Sequence, residues 1–93
     1  MFVPAQPMTT DTAKSVLDAG LRAIAAGQQV IDLAQVSRVD SSAVAVLLGW
    51  QRAALDRAAV LNIINQPVSL ISLATLYGVT DLLQVPRVDL PQH

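Results

Sequence analysis

Two short apolar runs, Val30–Ala34 and Val60–Asn65, alternate with stretches whose apolar residues recur at helical spacing. This alternation constrains the fold more than any other feature. Strands separated by helices need crossover connections, and crossovers favour a mostly parallel sheet with helices packed on it. Before Val30, the residues Ala13, Val16, Leu17, Leu21 and Ile24 share one helical face. Thr9 and Thr10 are candidate N-caps, Asp11 suits a first turn, and Gly27 is a natural stop, so a helix is predicted over 10–26. A second helix is predicted over 42–58, with Val44, Leu47, Leu48, Ala54, Leu55 and Ala58 as its apolar stripe and Gln51 interrupting it. A third is predicted over 69–77, with Leu70, Leu73, Ala74 and Tyr77 inward and Gly78 ending it. Phe2 and Val3 suit a weak edge strand limited by Pro4 and Pro7. Leu82, Leu83 and Val85 form a short apolar tail, and residues 87–93 are expected to fray.

Composition excludes several classes of function. The chain has 93 residues, the length of one domain. Charged residues make up 14%, against roughly 25% in an average globular protein, and hydrophobic residues make up 53%. This excess of apolar over charged groups goes either into a sheet buried on one face plus helices or onto a weakly charged outer surface that a partner covers. Net charge is −1, and the six basic residues (Lys14, Arg22, Arg38, Arg52, Arg57 and Arg87) are scattered, which argues against nucleic-acid binding. The absence of cysteine removes disulfides, thiolate nucleophiles and Cys-based metal sites, and it favours a cytoplasmic setting. No run reaches the roughly 18 apolar residues of a membrane span, and the N-terminus does not read as a signal peptide. No Gly-rich loop is present to cradle a nucleotide phosphate, and no His/Asp/Glu cluster has metal-ligand spacing, so no cofactor is expected. A serine nucleophile needs a base in reach, and the only histidine is the terminal His93, so catalysis is not expected.

The most specific stretch is residues 30–42, Val-Ile-Asp-Leu-Ala-Gln-Val-Ser-Arg-Val-Asp-Ser-Ser, followed at once by the apolar helix Ala-Val-Ala-Val-Leu-Leu. It resembles the central signature of STAS domains, in which a strand and a short turn ending in Asp-Ser/Thr lead straight into a helix. Residues 69–83 resemble the C-terminal helix of the same family, so the likeness spans about 28–85. Two branches compete. Anti-sigma factor antagonists carry a second hydroxyl residue, here Ser42, that accepts phosphate from a partner kinase. Their two glycines are replaced here by Ala43 and Ala45. The STAS subunit of Mla-type phospholipid-transport ABC systems has a hydroxyl residue directly after the Asp, here Ser41, at its contact with the ATPase. The reduced N-terminal strand and the Leu-Ala-Thr-Leu-Tyr-Gly-Val helix are more similar to this second branch. The resemblance implies a non-catalytic subunit in the cytoplasm, held at the inner face of the inner membrane through its complex. Members of the family have a longer first strand or hairpin than Met1–Met8 supplies, which leaves open a start upstream of Met1.

At residue level, Asp40 is a helix cap, and Ser41 and Ser42 present hydroxyls at the helix start, where phosphate would interact well with the helix dipole. On the second helix, the face opposite Val44 and Leu48 carries Ser42, Val46, Gly49, Ala53 and Arg57, with Trp50 on its flank. Either a neighbouring helix covers this small, apolar face, or a partner docks there with Trp50 as anchor. The docking alternative is preferred, since Gly49 in a helix interior costs roughly 1 kcal/mol and points to close approach. Asp32 is expected to be structural. Arg52, Asp56 and Arg57 are expected to form a solvated face with an Arg52–Asp56 pair.

The expectation is therefore one α/β, STAS-like domain over residues 1–93, with a roughly four-stranded mixed sheet and helices mainly on one face. Its partner-binding residues would be Ser41, Ser42, Val46, Gly49, Trp50, Ala53 and Arg57. The expected partner is an ABC ATPase subunit, the alternative an anti-sigma factor kinase, and the chain alone could pair as a homodimer through the same face.

Overall fold

The structure, a computed structural model, describes residues 1–79. In chain order the elements are α1 (Ala13–Ala25), β1 (Val30–Asp32), α2 (Ser41–Asp56), β2 (Asn62–Ile64) and α3 (Val68–Leu76). β1 and β2 pair in parallel, with Val30 opposite Asn62, Ile31 opposite Ile63 and Asp32 opposite Ile64. The other edge of β1 is taken by the N-terminal segment. Phe2 bridges Ile31 and Met8 bridges Val39, both parallel.

The sheet is thus smaller than expected. Among the described residues it has two strands and two isolated bridges, all parallel, in place of four strands in a mixed sheet. Pro4 and Pro7 lie between the two bridges and lack the N–H groups a continuous ladder needs. Each strand is also stopped by its own side-chain chemistry. Asp32 Oδ1 accepts the Ala34 N–H at 2.9 Å, turning the chain out of β1 earlier than the predicted Ala34. Asn65, with φ of 55°, turns it out of β2. The apolar tail at Leu82–Val85 and the frayed end lie outside the described residues.

One face of the ladder is buried. Ile31 is fully buried and Ile63 nearly so, and they join a core that contains residues of all three helices. Their neighbours Val30, Asp32, Asn62 and Ile64 are half-exposed or exposed. This agrees with helices gathered on one side of a small α/β sheet.

Helix α1 starts three residues later than predicted. Thr9 and Thr10 do not cap it. Residues Thr9–Thr12 close a turn in which the Thr12 N–H donates to the Thr9 carbonyl at 3.0 Å. The Thr12 hydroxyl turns back to the Pro7 carbonyl. The expected apolar face of α1 is the buried one: Val16 and Ile24 are in the core, with Ala13, Leu17 and Leu21 packed against it. Gly27, at φ of 94°, lies just past the helix end.

Helix α2 is the centre of the molecule. Ala43, Val44, Val46, Leu47, Trp50, Gln51 and Ala54 are all buried. The predicted stripe was turned too far toward Leu55 and Ala58, which are exposed. The buried Gln51 has a structural purpose, because its Nε2 donates to the carbonyl of fully buried Leu61 at 3.4 Å, tying α2 to the lead-in of β2. Helix α3 packs through Leu70 and Ala74, both fully buried. Tyr77, expected inward, is 52% exposed. It is the C-cap residue beyond the last helical turn and so leaves the packed face.

Candidate functional site: the start of helix α2

The residues expected to form a docking face do not share one environment. Trp50 is fully buried and Val46 is 2% exposed. The indole packs onto α1: its Nε1 donates to the Leu17 carbonyl at 3.1 Å, and its ring meets Phe2 edge-on, centroids 6.1 Å apart. Gly49 also faces α1, since a Cβ there would lie 2.9 Å from Leu17 Cδ1. A neighbouring helix of the same domain therefore covers this face, and Trp50 and Val46 are core residues rather than surface anchors. The small residues allow close approach, as inferred, but the approaching element is α1. Ser42 and Ala53 are half-buried, and only Ser41 and Arg57 of the expected set are exposed.

The exposed side of α2 lies about one residue round the helix. Ser41, Ala45, Arg52 and Leu55 are exposed, with half-buried Leu48 between them. The spacings of four, three, four and three residues align these positions along one stripe. Leu55 is 74% exposed, a large apolar group in water. Arg52, Asp56 and Arg57 are solvated as expected. The expected Arg52–Asp56 pair does not form; Lys14–Asp18 is the ion pair found among the described residues.

Asp40 organises the head of this stripe. Its backbone is extended, and Oδ1 accepts the Ser42 N–H at 2.8 Å as an N-cap. Its second oxygen serves another element: Oδ2 accepts the Thr10 N–H at 3.0 Å and the Thr10 hydroxyl at 3.3 Å. Thr10 Oγ1 lies 3.0 Å from Ser42 Oγ. The Thr10 N–H, and after it the Ser42 N–H, hold the Asp40 carboxyl below the usual carboxylate range. Two backbone bonds close the same junction, Met8 N–H to the Arg38 carbonyl at 2.8 Å and Asp40 N–H to the Met8 carbonyl at 3.2 Å. The turn before α1 and the start of α2 thus form one surface. Thr10 belongs to it, although the sequence placed Thr10 at the cap of α1; its partners are 30 and 32 residues away.

Asp32 is held below the usual range as well, first by the Asn65 side-chain amide at 3.0 Å and then by the Ala34 N–H. These contacts tie together the ends of β1 and β2. Among the described residues, no group of three His, Cys, Asp or Glu is placed to hold a metal ion. No helix among them is long and apolar enough to cross a membrane.

A short parallel sheet with helices packed on one face, and a second helix capped by Asp40 a few residues after the first strand, is a small α/β fold of the STAS-like kind. The chain belongs to the STAS domain family: the family model described as "Mlab, STAS domain" matches residues 7–84. STAS domains are in general non-catalytic modules that mediate protein–protein contacts. No curated protein and no solved structure matches the chain.

Proposed function

We propose that the protein is the STAS subunit of an Mla-type phospholipid-transport ABC complex. In this reading it docks on the cytoplasmic ATPase through the exposed stripe of α2 that begins at Ser41. The observation that carries the proposal is the Ser41 hydroxyl, which has no hydrogen-bond partner among the described residues. It is exposed, directly follows the capping Asp40, and heads a stripe that ends in exposed Leu55. The matching family model, described by its Mla-type member, supports the same branch. Arg52 and the exposed apolar Leu55 are the stripe residues whose chemistry suits a contact with a partner.

The test is co-expression of the tagged chain with the ABC ATPase, permease and kinase genes of its own genome, followed by mass spectrometry of what copurifies. Recovery of the ATPase, lost on Ala45→Arg, supports the transport reading. Recovery instead of an anti-sigma factor kinase, with phosphate on Ser42, would replace it with the signalling one.

A further inference from the structure

Helix α1 and the N-terminal segment do not close on each other along their whole length. Between them runs a groove of about 250 Å³, open to solvent. Ser15, Ala19 and Arg22 form its helical wall, at spacings of four and three residues that put them on one face. Phe2 and Val3 line it from the N-terminal segment, and the buried Pro4 and Val16 give it an apolar floor. Gln6 stops one end, where its Oε1 accepts the Ser15 hydroxyl at 3.3 Å. Arg22 stands two helical turns further on, roughly 10 Å along the axis. Among the described residues Arg22 has no ion pair, since Asp18, one turn before it, is paired with Lys14 at 3.7 Å. No carboxylate lines the groove.

An apolar trough with one cation and no acid beside it selects its ligand by shape and by charge. We infer that the groove binds a small linear amphiphile with a single acidic group, a medium-chain carboxylate. The carboxylate lies on the exposed Arg22 guanidinium, whose planar fork suits it in two-point contact. The alkyl chain lies over Ala19, Val16 and Pro4, where each methylene leaves water. Gln6 and Ser15 satisfy each other, so they end the apolar run and limit the useful chain to roughly 10 Å. None of the lining residues belongs to the exposed stripe of α2, so the inference is independent of the ATPase reading.

The test is titration of the isotope-labelled chain with octanoate, read from backbone amide shifts. Saturable shifts centred on Val3, Ala5, Ser15 and Ala19 are expected, with a Kd on the order of 1 mM for so small a ligand. Butyrate, too short to cover the floor, should bind about tenfold more weakly. Arg22→Gln removes the charge at an exposed helical position; it should keep the wild-type melt and weaken octanoate about tenfold. Octylamine, with the same chain and the opposite charge, should not shift these amides in the wild-type chain. Shifts that spread over the surface without saturating overturn the inference, as does octanoate binding undiminished in Arg22→Gln. Octylamine binding as tightly as octanoate also overturns it, because apolar contact alone would then suffice. If Arg22→Gln melts below the wild type, the comparison of octanoate with octylamine on the wild-type chain decides.

Discussion

A Cβ added to Gly20 would fall 2.1 Å from Nε1 of Trp50, well inside the indole's own volume. Gly20 on α1 and Trp50 on α2 are complementary halves of one helix crossing. The ring has little room to yield, because its Nε1 is bonded to the Leu17 carbonyl and it packs in a T-shaped pair with Phe2. Gly20→Ala should therefore destabilise the domain, although alanine is the better helix former by about 1 kcal/mol. An overpacked core of this kind typically costs 1–3 kcal/mol, or roughly 4–8 °C of melting temperature per kcal/mol in a domain of this size. A thermal melt in which Gly20→Ala equals or exceeds the wild type would show that the crossing is looser than described.

Trp50→Ala removes the largest fully buried side chain. Truncations of this kind cost about 3–5 kcal/mol, a large part of the 5–15 kcal/mol that holds a typical domain together. The expected outcome is loss of the cooperative melt or a midpoint many degrees lower. If Trp50→Ala melts like the wild type, Trp50 is not the core residue the structure makes it.

This pair also marks where sequence reading stopped. Helical spacing located all three helices and the apolar face of α1, because α1 is buried on one side and its pattern is one-sided. Helix α2 is buried by neighbours on more than one side, so its small, apolar outer face fitted either a partner or a neighbouring helix, and the partner was preferred. Only the three-dimensional meeting of Gly20 and Trp50 decides between them. The Asp-Ser-Ser start of α2 was legible as a cap, since Asp40 and Ser42 are two residues apart. The share of Thr10 in that cap was not, because a contact across 30 residues leaves no local signal. The strands came out short because the Asp32 side chain, expected to be structural, turns the chain at Ala34, and Asn65, placed inside the second strand, takes a left-handed backbone that ends it.

Gln51 offers a test of the core that is independent of Trp50. Gln51→Glu would place a carboxylate where a buried amide now donates to the Leu61 carbonyl. Carboxylate and carbonyl oxygen repel, and a buried, unpaired charge is costly. The variant should lose more than about 2 kcal/mol at neutral pH. Its folded-state pKa would be raised above the unfolded value. The lost stability should therefore return as pH falls below that raised value, seen as a melting temperature that recovers relative to wild type under mild acid. A variant equally stable at pH 7 and in mild acid would argue that Gln51 is open to water.

Acid should act in the opposite sense on the wild-type chain. Asp40 and Asp32 both have depressed pKa values in the folded state, caused by donated hydrogen bonds. A depressed carboxylate stabilises the fold above its unfolded pKa, near 3.9, and that contribution is lost as pH falls through the folded value. Stability should therefore be flat above about pH 5 and decline below about pH 4. In Asp40→Asn, the side-chain oxygen can still cap through the Ser42 N–H, but the amide nitrogen cannot accept from Thr10. This variant should melt lower than wild type at pH 7, with a shallower decline in acid. An acid profile identical to wild type would show that Asp40 does not carry the effect.

The exposed stripe of α2 separates docking from folding. Ala45 is exposed at its upper part and Leu55 is 74% exposed near its end. Neither is part of the buried core. Ala45→Arg and Leu55→Arg should keep the wild-type melt within about 0.5 kcal/mol, as surface changes usually do. Both should weaken capture of the ABC ATPase proposed as partner, because a bulky charge would be desolvated against an apolar contact. Arg57→Ala, at the exposed C-cap of α2 and off the stripe, is the control, expected to change neither melt nor capture. The pattern that supports docking through this stripe is loss of capture in the first two variants with all three still folded. Full capture by both Ala45→Arg and Leu55→Arg would place the partner on another face.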